Sequence, residues 1–563
     1  MYDEKKVIDT FFGSEQYPVT WENEEEKKRH WFLSDLHNPN PTSPLYFDCA
    51  GWWGKSCRYM YQRFGSSGGK DWRAKVINGY VYTAVVPRTD EQECKNLDGY
   101  FGLVFPIYAD KFLEWWDERY LPEIKRNCDY LDNYVYEGKS LGEIMIHLEE
   151  ATDIFERHFN IHWILNMCQF LSFTNFYNKY KEIVGSLDND NAGKILVSTG
   201  DKNWDSLKAL YDIKEFIVSS PSLLKLFEKS EEEIMANVDS AKDGHELVEM
   251  ITAYQKEYGY KAIYTHELIY PLWIEDPTPI YAALKKYINS DYDFFASLNK
   301  CKEEQKKAIE ELKAKVTDPA KWEELKSYMD RAIKMAPLTP DHHFYIDQGT
   351  HARYRLVFKQ IGKKFVELGI LNNDEDIFML KYEEIRALAG NPKAMDAKNI
   401  AAERRQAMEE AKKHTPRDWY GTITHWSLYE EGYIGLWGWP DKYEIEQAEK
   451  KQKAKNDNIL RGLPAAPGVV EGIARFVASP DEFNQIETGD ILVCKMTNPA
   501  WIVSFSKISG LVTDAGGATS HPAVVSREFG IPCVVGTRKA TTTIKNGMKI
   551  RVNGSKGIVE ILE

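Results

Sequence analysis

The stretch TDAGGATSHPAVVSREFGIPCVVG, Thr513 to Gly536, holds one histidine, His521, between a Gly-Gly turn and a short apolar segment. A neutral imidazole, with an ordinary pKa near 6.5, is a competent nucleophile at neutral pH, and a covalent intermediate splits one hard group transfer into two easier ones. Proline suits the first helical position, where its missing N–H costs nothing, so a helix is expected to begin at Pro522 and to end before Gly530 at C′. A residue before proline is pushed out of the α region. His521 is therefore expected just outside the first turn, on a bend made by Gly516 and Gly517, at the positive end of a helix that favours an anion. Phosphoryl transfer asks for such positioning and charge stabilisation. Thr519 and Ser520 are candidates to cap the helix or to donate to phosphate oxygens, and Arg527 is either a phosphate clamp or a solvated side chain. A strand, a glycine turn and a helix with a surface histidine would also suit many α/β proteins.

A hydroxyl acceptor would need a base and a cationic clamp, and an aromatic acceptor an apolar pocket. TPDHHFYIDQGTHARYR, Thr339 to Arg355, offers His342 or His343 as base, Asp341 or Asp347 to orient it, and Arg353 or Arg355 to hold the phosphoryl group. The alternative is a polar helix entry with locally bonded histidines. Trp52 and Trp53 in CAGWWGKSCRYMYQRFGSSGGKDWR, and Trp426 and Trp437 in DWYGTITHWSLYEEGYIGLWGWP, are pocket candidates against a reading as core or interface aromatics.

These residues sit in a 563-residue chain with 43% hydrophobic and 28% charged residues and a formal net charge of -14. That length predicts two to four domains. The acidic balance speaks against a general nucleic-acid or anionic-membrane surface, and no apolar run reaches membrane-spanning length, so a cytoplasmic protein is expected. Eight scattered cysteines without a C-x-x-C pair suit reduced thiols and give no zinc signature; the sequence assigns no metal ligands.

Fifteen of the sixteen tryptophans precede residue 462, which marks two differently built regions. HARYRLVFKQIGKKFVELGI places Leu356, Val357, Ile361, Phe365 and Leu368 on one helical face and Gly369 at a C-cap. Similar periodicity predicts a large helical domain over 111–442. Before it, 1–110 is expected to be a small α+β part, with a hairpin turning at Asn78-Gly79. Residues 443–461 read as a charged linker, helical at first. Short β-branched runs bounded by Gly, Pro, Asp and Asn predict a compact α/β domain over 462–563.

The segments GLPAAPGVVEGIARFV, GDILVCKMTNPAWIVSF, GLVTDAGGATSHPAVVSREFGIPCVVGT and NGMKIRVNGSKGIVEIL follow in order over about 100 residues. They resemble the swivelling phosphohistidine domain of the phosphoenolpyruvate-utilising enzymes. The resemblance implies that His521 is the phosphorylated residue, with Thr519 two positions before it; Pro522 departs from the usual alanine. No ATP-grasp domain, Walker motif or phosphoenolpyruvate barrel is placed in the sequence. The whole is most similar to the histidine-carrying subunit of phenylphosphate synthase, and Ile361 to Leu388 resembles the acceptor domain of rifamycin phosphotransferase. The resemblance implies a large helical acceptor domain followed by a C-terminal swivelling domain, the linker allowing travel. It also implies a separate ATP-grasp subunit binding ATP with magnesium, no tightly bound organic cofactor, and a small hydroxylated, aromatic acceptor such as phenol. A split rifamycin-type or phosphoenolpyruvate synthase-type component, and a non-catalytic regulatory protein that kept the fold, are the competing expectations.

Overall fold

Asn78 and Gly79 take left-handed φ values of 51° and 85°, as both central residues of a type I′ turn must. They join strands Gly69–Ile77 (β3) and Tyr80–Pro87 (β4) into an antiparallel hairpin. With Val7–Phe11 (β1), His30–Leu33 (β2) and Trp419–Thr424 (β5), the hairpin completes an antiparallel sheet in the order β1-β5-β2-β4-β3. Its strand β5, between β1 and β2, comes from far along the chain. Gly421 sits there at φ 82°, where a Cβ would come within 2.1 Å of the Arg29 carbonyl oxygen.

The computed structural model describes the chain apart from residues 1, 50–51, 290–292, 433, 435–437, 452–457, 478–479, 498–500, 502–503, 506, 518–519 and 563; the side chains of 52, 53, 189, 190, 449–451, 480, 481, 484, 524 and 528 also lie outside the description. By packing, the chain forms two units. The first comprises Met1–Cys168, Thr265–Tyr270 and Tyr345–Pro440; the second comprises Gln169–Tyr264, Pro271–Phe344 and Asp441–Glu563.

Helices carry 58% of the structure, with the small N-terminal sheet in the first unit and a mixed sheet at the C-terminal end of the second. This is the mainly helical, multidomain class expected from the periodicity. The longest helices are Glu91–Trp115 (α1) and Leu141–Val184 (α2). Gly349–Glu367 (α3) buries Val357, Ile361 and Phe365, as its pattern requires, and Gly369 closes it at φ 72°. The Gly369 amide donates to the Val366 carbonyl and the Ile370 amide to the Phe365 carbonyl, the Schellman arrangement.

In the second unit, Ile459–Arg461 (β6), Leu463–Ala466 (β7), Val469–Phe476 (β8), Ile491–Cys494 (β9), Gly510–Thr513 (β10), Cys533–Val535 (β11), Lys549–Asn553 (β12) and Ile558–Ile561 (β13) form one sheet, ordered β6-β13-β12-β8-β9-β10-β11-β7. β8, β9, β10 and β11 run parallel at its centre, and antiparallel strands flank them. Ile459–Arg461, within the stretch read as linker, thus already belongs to the sheet through β13. The linker's helical start is seen as Trp439–Lys451.

One face of the sheet packs on Ile550, Val552 and Val559 from its own strands. The other shares a core with helical residues of the same unit: Trp501, Leu492 and Ala523 join Trp204, Leu284 and Phe294. Trp501 is completely buried, and truncating such a side chain to alanine typically costs about 3–5 kcal/mol. This core packs Trp501, Phe505 and Ile508, which follow β9, with helical residues of the unit. Among the described residues, no helix is long and apolar enough to cross a membrane.

Candidate active site

β10 delivers the chain to a turn at Gly516, whose φ of 116° favours glycine; a Cβ there would lie 2.9 Å from Ser520 Oγ. Ser520 folds back, its hydroxyl donating to the Gly517 carbonyl at 2.7 Å and its amide to the same oxygen at 3.0 Å. The hydroxyl is committed to the turn and does not cap the helix amides. The helix that follows, His521–Glu528 (α4), begins one residue earlier than the proline argument places it: Ser520 is the extended N-cap, with ψ of 155°, and His521 the first helical residue. The two bonds to the Gly517 carbonyl fix Ser520 as the extended residue, and His521 enters the helix although it precedes proline, a position where the α region is disfavoured and not forbidden. At the other end Gly530 has φ 65°, its amide donating to Arg527 and that of Ile531 to Ser526, a second Schellman motif. α4 is therefore held at both ends by local chemistry.

The imidazole of His521 is oriented from a second loop. Its Nδ1 lies 3.0 Å from Thr497 Oγ1, just beyond β9, and the Phe505 ring stands edge-on with centroids 6.2 Å apart. Nε2 is buried and has no hydrogen-bond partner among the described residues. With the proton on Nδ1, shared with Thr497, Nε2 keeps its lone pair. Burial, and secondarily the charge of His343, lowers the pKa of His521 to about 3, so the ring is a neutral base at pH 7. Arg527 is not directed at this ring: its Nε donates to the Ala465 carbonyl at 2.7 Å, tying α4 to β7. Thr519 lies outside the described residues.

The acceptor-side candidates part company. In the second unit, His343 is near enough to His521 to act on its charge, and His342 stacks on His343 with ring centroids 4.5 Å apart. His342 is buried, its Nδ1 donating to the Leu338 carbonyl at 2.6 Å. Asp341 accepts from the Lys202 amide at 2.9 Å, and burial raises its carboxyl to about 6. In the first unit, Asp347 pairs with His162 on α2, Oδ1 to Nδ1 at 3.1 Å, both side chains almost completely buried. Arg353 forks onto Asp132 at 2.8 and 2.6 Å. Arg355, 1% exposed, binds Glu375 at 2.8 Å and donates to the Leu268 carbonyl. Both arginines are thus engaged by carboxylates. Trp426 is buried, with its ring edge-to-face on Tyr2 at 5.1 Å. The side chains of Trp52 and Trp53, and Trp437 altogether, lie outside the described residues.

Residues 486–557 match the family described as PEP-utilising enzyme, mobile domain, and residues 167–339 match the rifampicin phosphotransferase fourth domain. The sheet-bearing C-terminal part of the chain is thus similar to a PEP-utilising enzyme mobile domain. It is 28% identical over 461 residues to an uncharacterized phosphotransferase of Bacillus subtilis, covering 82% of this chain and 53% of that protein. It is 30% identical over 366 residues to rifampicin phosphotransferase of Bacillus cereus, covering 63% and 39%. A probable phosphoenolpyruvate synthase of Staphylothermus marinus is 45% identical over 132 residues, covering 22% and 16%. The chain thus spans about half of the first relative and less of the others.

Within the mobile domain, Thr497 is the contact that sequence reasoning missed, since nothing marks a lone threonine as the partner of a histidine 24 residues on. A pH consequence follows from the buried ring. An exposed or unfolded His521 titrates near 6.5 and the buried one near 3, so between those values the unfolded state binds the extra proton. The stability tied to this group is complete above about pH 6.5 and is lost as pH falls toward 3. The expected result is that the melting temperature of wild type drops between pH 7 and 4.5 by a few degrees more than that of His521→Asn. Equal slopes in thermal melts would show that the ring is not sealed in solution.

Proposed function

We propose that the chain is the histidine-carrying, acceptor-binding component of an ATP-dependent phosphotransferase. Its phosphoryl group is loaded by an ATP-grasp module outside these 563 residues, on a separate subunit. The observation that carries this reading is the state of His521: Nδ1 oriented by Thr497, Nε2 without a hydrogen-bond partner among the described residues, and the ring neutral at the start of a helix. In the first half-reaction the Nε2 lone pair takes the β-phosphoryl group of ATP; with one water consumed, AMP and inorganic phosphate leave. In the second, an acceptor hydroxyl oxygen attacks phosphorus, the P–N bond breaks, and its electron pair returns to Nε2. The proposed base for the hydroxyl proton is His343, on which the His342 ring stacks. Magnesium enters with ATP on the loading module, and no residue of this chain is assigned to it. The proposed acceptor is a phenol, giving an aryl phosphate.

A second acceptor class is favoured by a separate observation. The match of residues 167–339 to the rifampicin phosphotransferase fourth domain covers helices that share a core with the mobile domain here. A hydroxyl on a larger natural product is therefore the competing acceptor.

The test loads the chain from β-labelled ATP with an ATP-grasp module, removes nucleotide, and chases separately with phenol, pyruvate and rifampicin. Release of label as phenyl phosphate is expected, at a rate at least about tenfold above hydrolysis. Release only to rifampicin selects the second reading, and release only to pyruvate would overturn both.

A further inference from the structure

The first unit holds a cavity of about 210 Å³ beside its sheet. A cavity of about 150 Å³ accommodates benzene, so this one has room for a single aromatic ring with a substituent. Its wall is formed by His30 of β2, the end of β4 and residues of β5, closed by Trp426 and Tyr2. The two aromatic rings, edge-to-face at 5.1 Å, supply the flat apolar side.

The polar side comes down to one residue. The hydroxyls of Thr424 and Ser427 are spent on each other's backbone, at 2.9, 3.1 and 3.0 Å, and Thr422 Oγ1 donates to the Lys27 carbonyl at 2.7 Å. His30, by contrast, is 4% exposed and neither ring nitrogen has a hydrogen-bond partner among the described residues. The Ser427 backbone faces the ring, and burial keeps the imidazole neutral at pH 7. A neutral imidazole offers one N–H donor and one bare nitrogen, and buried polar atoms are almost always satisfied.

The mouth is charged. Lys28 is paired with Glu25 at 2.8 Å, whereas Arg29, Lys70 and Glu4, which also line the cavity, form no ion pair among the described residues. Two cations against one carboxylate leave a balance of one positive charge, which suits a monoanion and disfavours a phosphate dianion.

We propose that this cavity binds a small aromatic carboxylate bearing a ring hydroxyl, the hydroxyl on His30, the ring against Trp426 and the carboxylate at Arg29 and Lys70. The site belongs to the first unit and does not depend on His521, so it stands apart from the proposed transfer chemistry. The probe is 4-hydroxybenzoate, titrated calorimetrically into the full chain, with benzoate and phenol as comparisons. Saturable binding is expected. It weakens at least tenfold in His30→Ala and in the surface double variant Arg29→Ala, Lys70→Ala, is unchanged in His521→Ala, and is weaker for both comparison probes. The double variant carries the test if His30→Ala does not fold. No saturation at millimolar probe, phenol binding as tightly as 4-hydroxybenzoate, or full affinity in the double variant would each overturn the proposal.

Discussion

His521→Ala is expected to lose all acid-labile label from β-labelled ATP and to drop acceptor phosphorylation by ~10³-fold or more, because no other described group offers a neutral, unpartnered ring nitrogen at that helix start. Without the nucleophile, one direct displacement replaces two half-reactions that use different sites at different times. The substitution should leave the fold nearly intact. Among the described residues the ring gives up one hydrogen bond, to Thr497, worth about 1 kcal/mol net, and α4 keeps its Gly516 turn, its proline and its Schellman end. Quenching under alkaline conditions, which preserve a phosphoramidate, and following label on the chain measures the first half-reaction separately from turnover. Label persisting on the alanine variant would place the phosphoryl group on another residue and sink the carrier mechanism. His521→Asn serves as the control that preserves bulk without a nucleophile.

The parts of this site that local chemistry governs were open to reading from the sequence. Gly530 and Gly369 stand where left-handed residues must close helices, Asn78-Gly79 where a hairpin must turn, and Pro522 within one residue of a helix start. In each case a few consecutive residues determine the backbone. The helix starts one position before the place Pro522 implies, because two bonds to the Gly517 carbonyl fix Ser520 as the extended N-cap and His521 takes the first helical position although it precedes proline. Long-range pairing was not readable. β5 enters the N-terminal sheet from residue 419 onward, His343 meets the field of His521 only because helices and mobile domain share a core, and Asp347 finds His162 through the packing of α2. Polar residues near a histidine cluster carry the same sequence signal whether they serve chemistry or satisfy one another. Arg353 and Arg355 show this most plainly, since their carboxylate partners are read only from the structure.

Arg355→Met is expected to destabilise the first unit by about 3 kcal/mol while leaving phosphoryl transfer per folded molecule unchanged. The guanidinium is 1% exposed, lies over the Phe378 ring at 4.7 Å, pairs with Glu375 at 2.8 Å and donates to the Leu268 carbonyl. Breaking a fully buried ion pair by removing one member typically costs about 3–5 kcal/mol. Here the figure belongs at the lower end, because Glu375 is 31% exposed and keeps Lys359 at 2.8 Å, so its charge is neither stranded nor unscreened. Methionine refills the stem volume, which leaves the unpaired Leu268 carbonyl and the lost ring contact as the main cost. Leu268 belongs to the short segment Thr265–Tyr270 that the first unit takes from the middle of the chain, so Arg355 pins an insertion as well as a surface loop. Arg355→Lys should recover less than half of the loss, since an ammonium cannot reach carbonyl and carboxylate in one plane. Urea unfolding gives the energy, and a chase of preloaded phosphohistidine gives the function. A variant of unchanged stability whose chase has stopped would make Arg355 the clamp of the transferring phosphoryl group, and its burial among Glu375, Phe378 and Leu268 argues for the opposite pair of results.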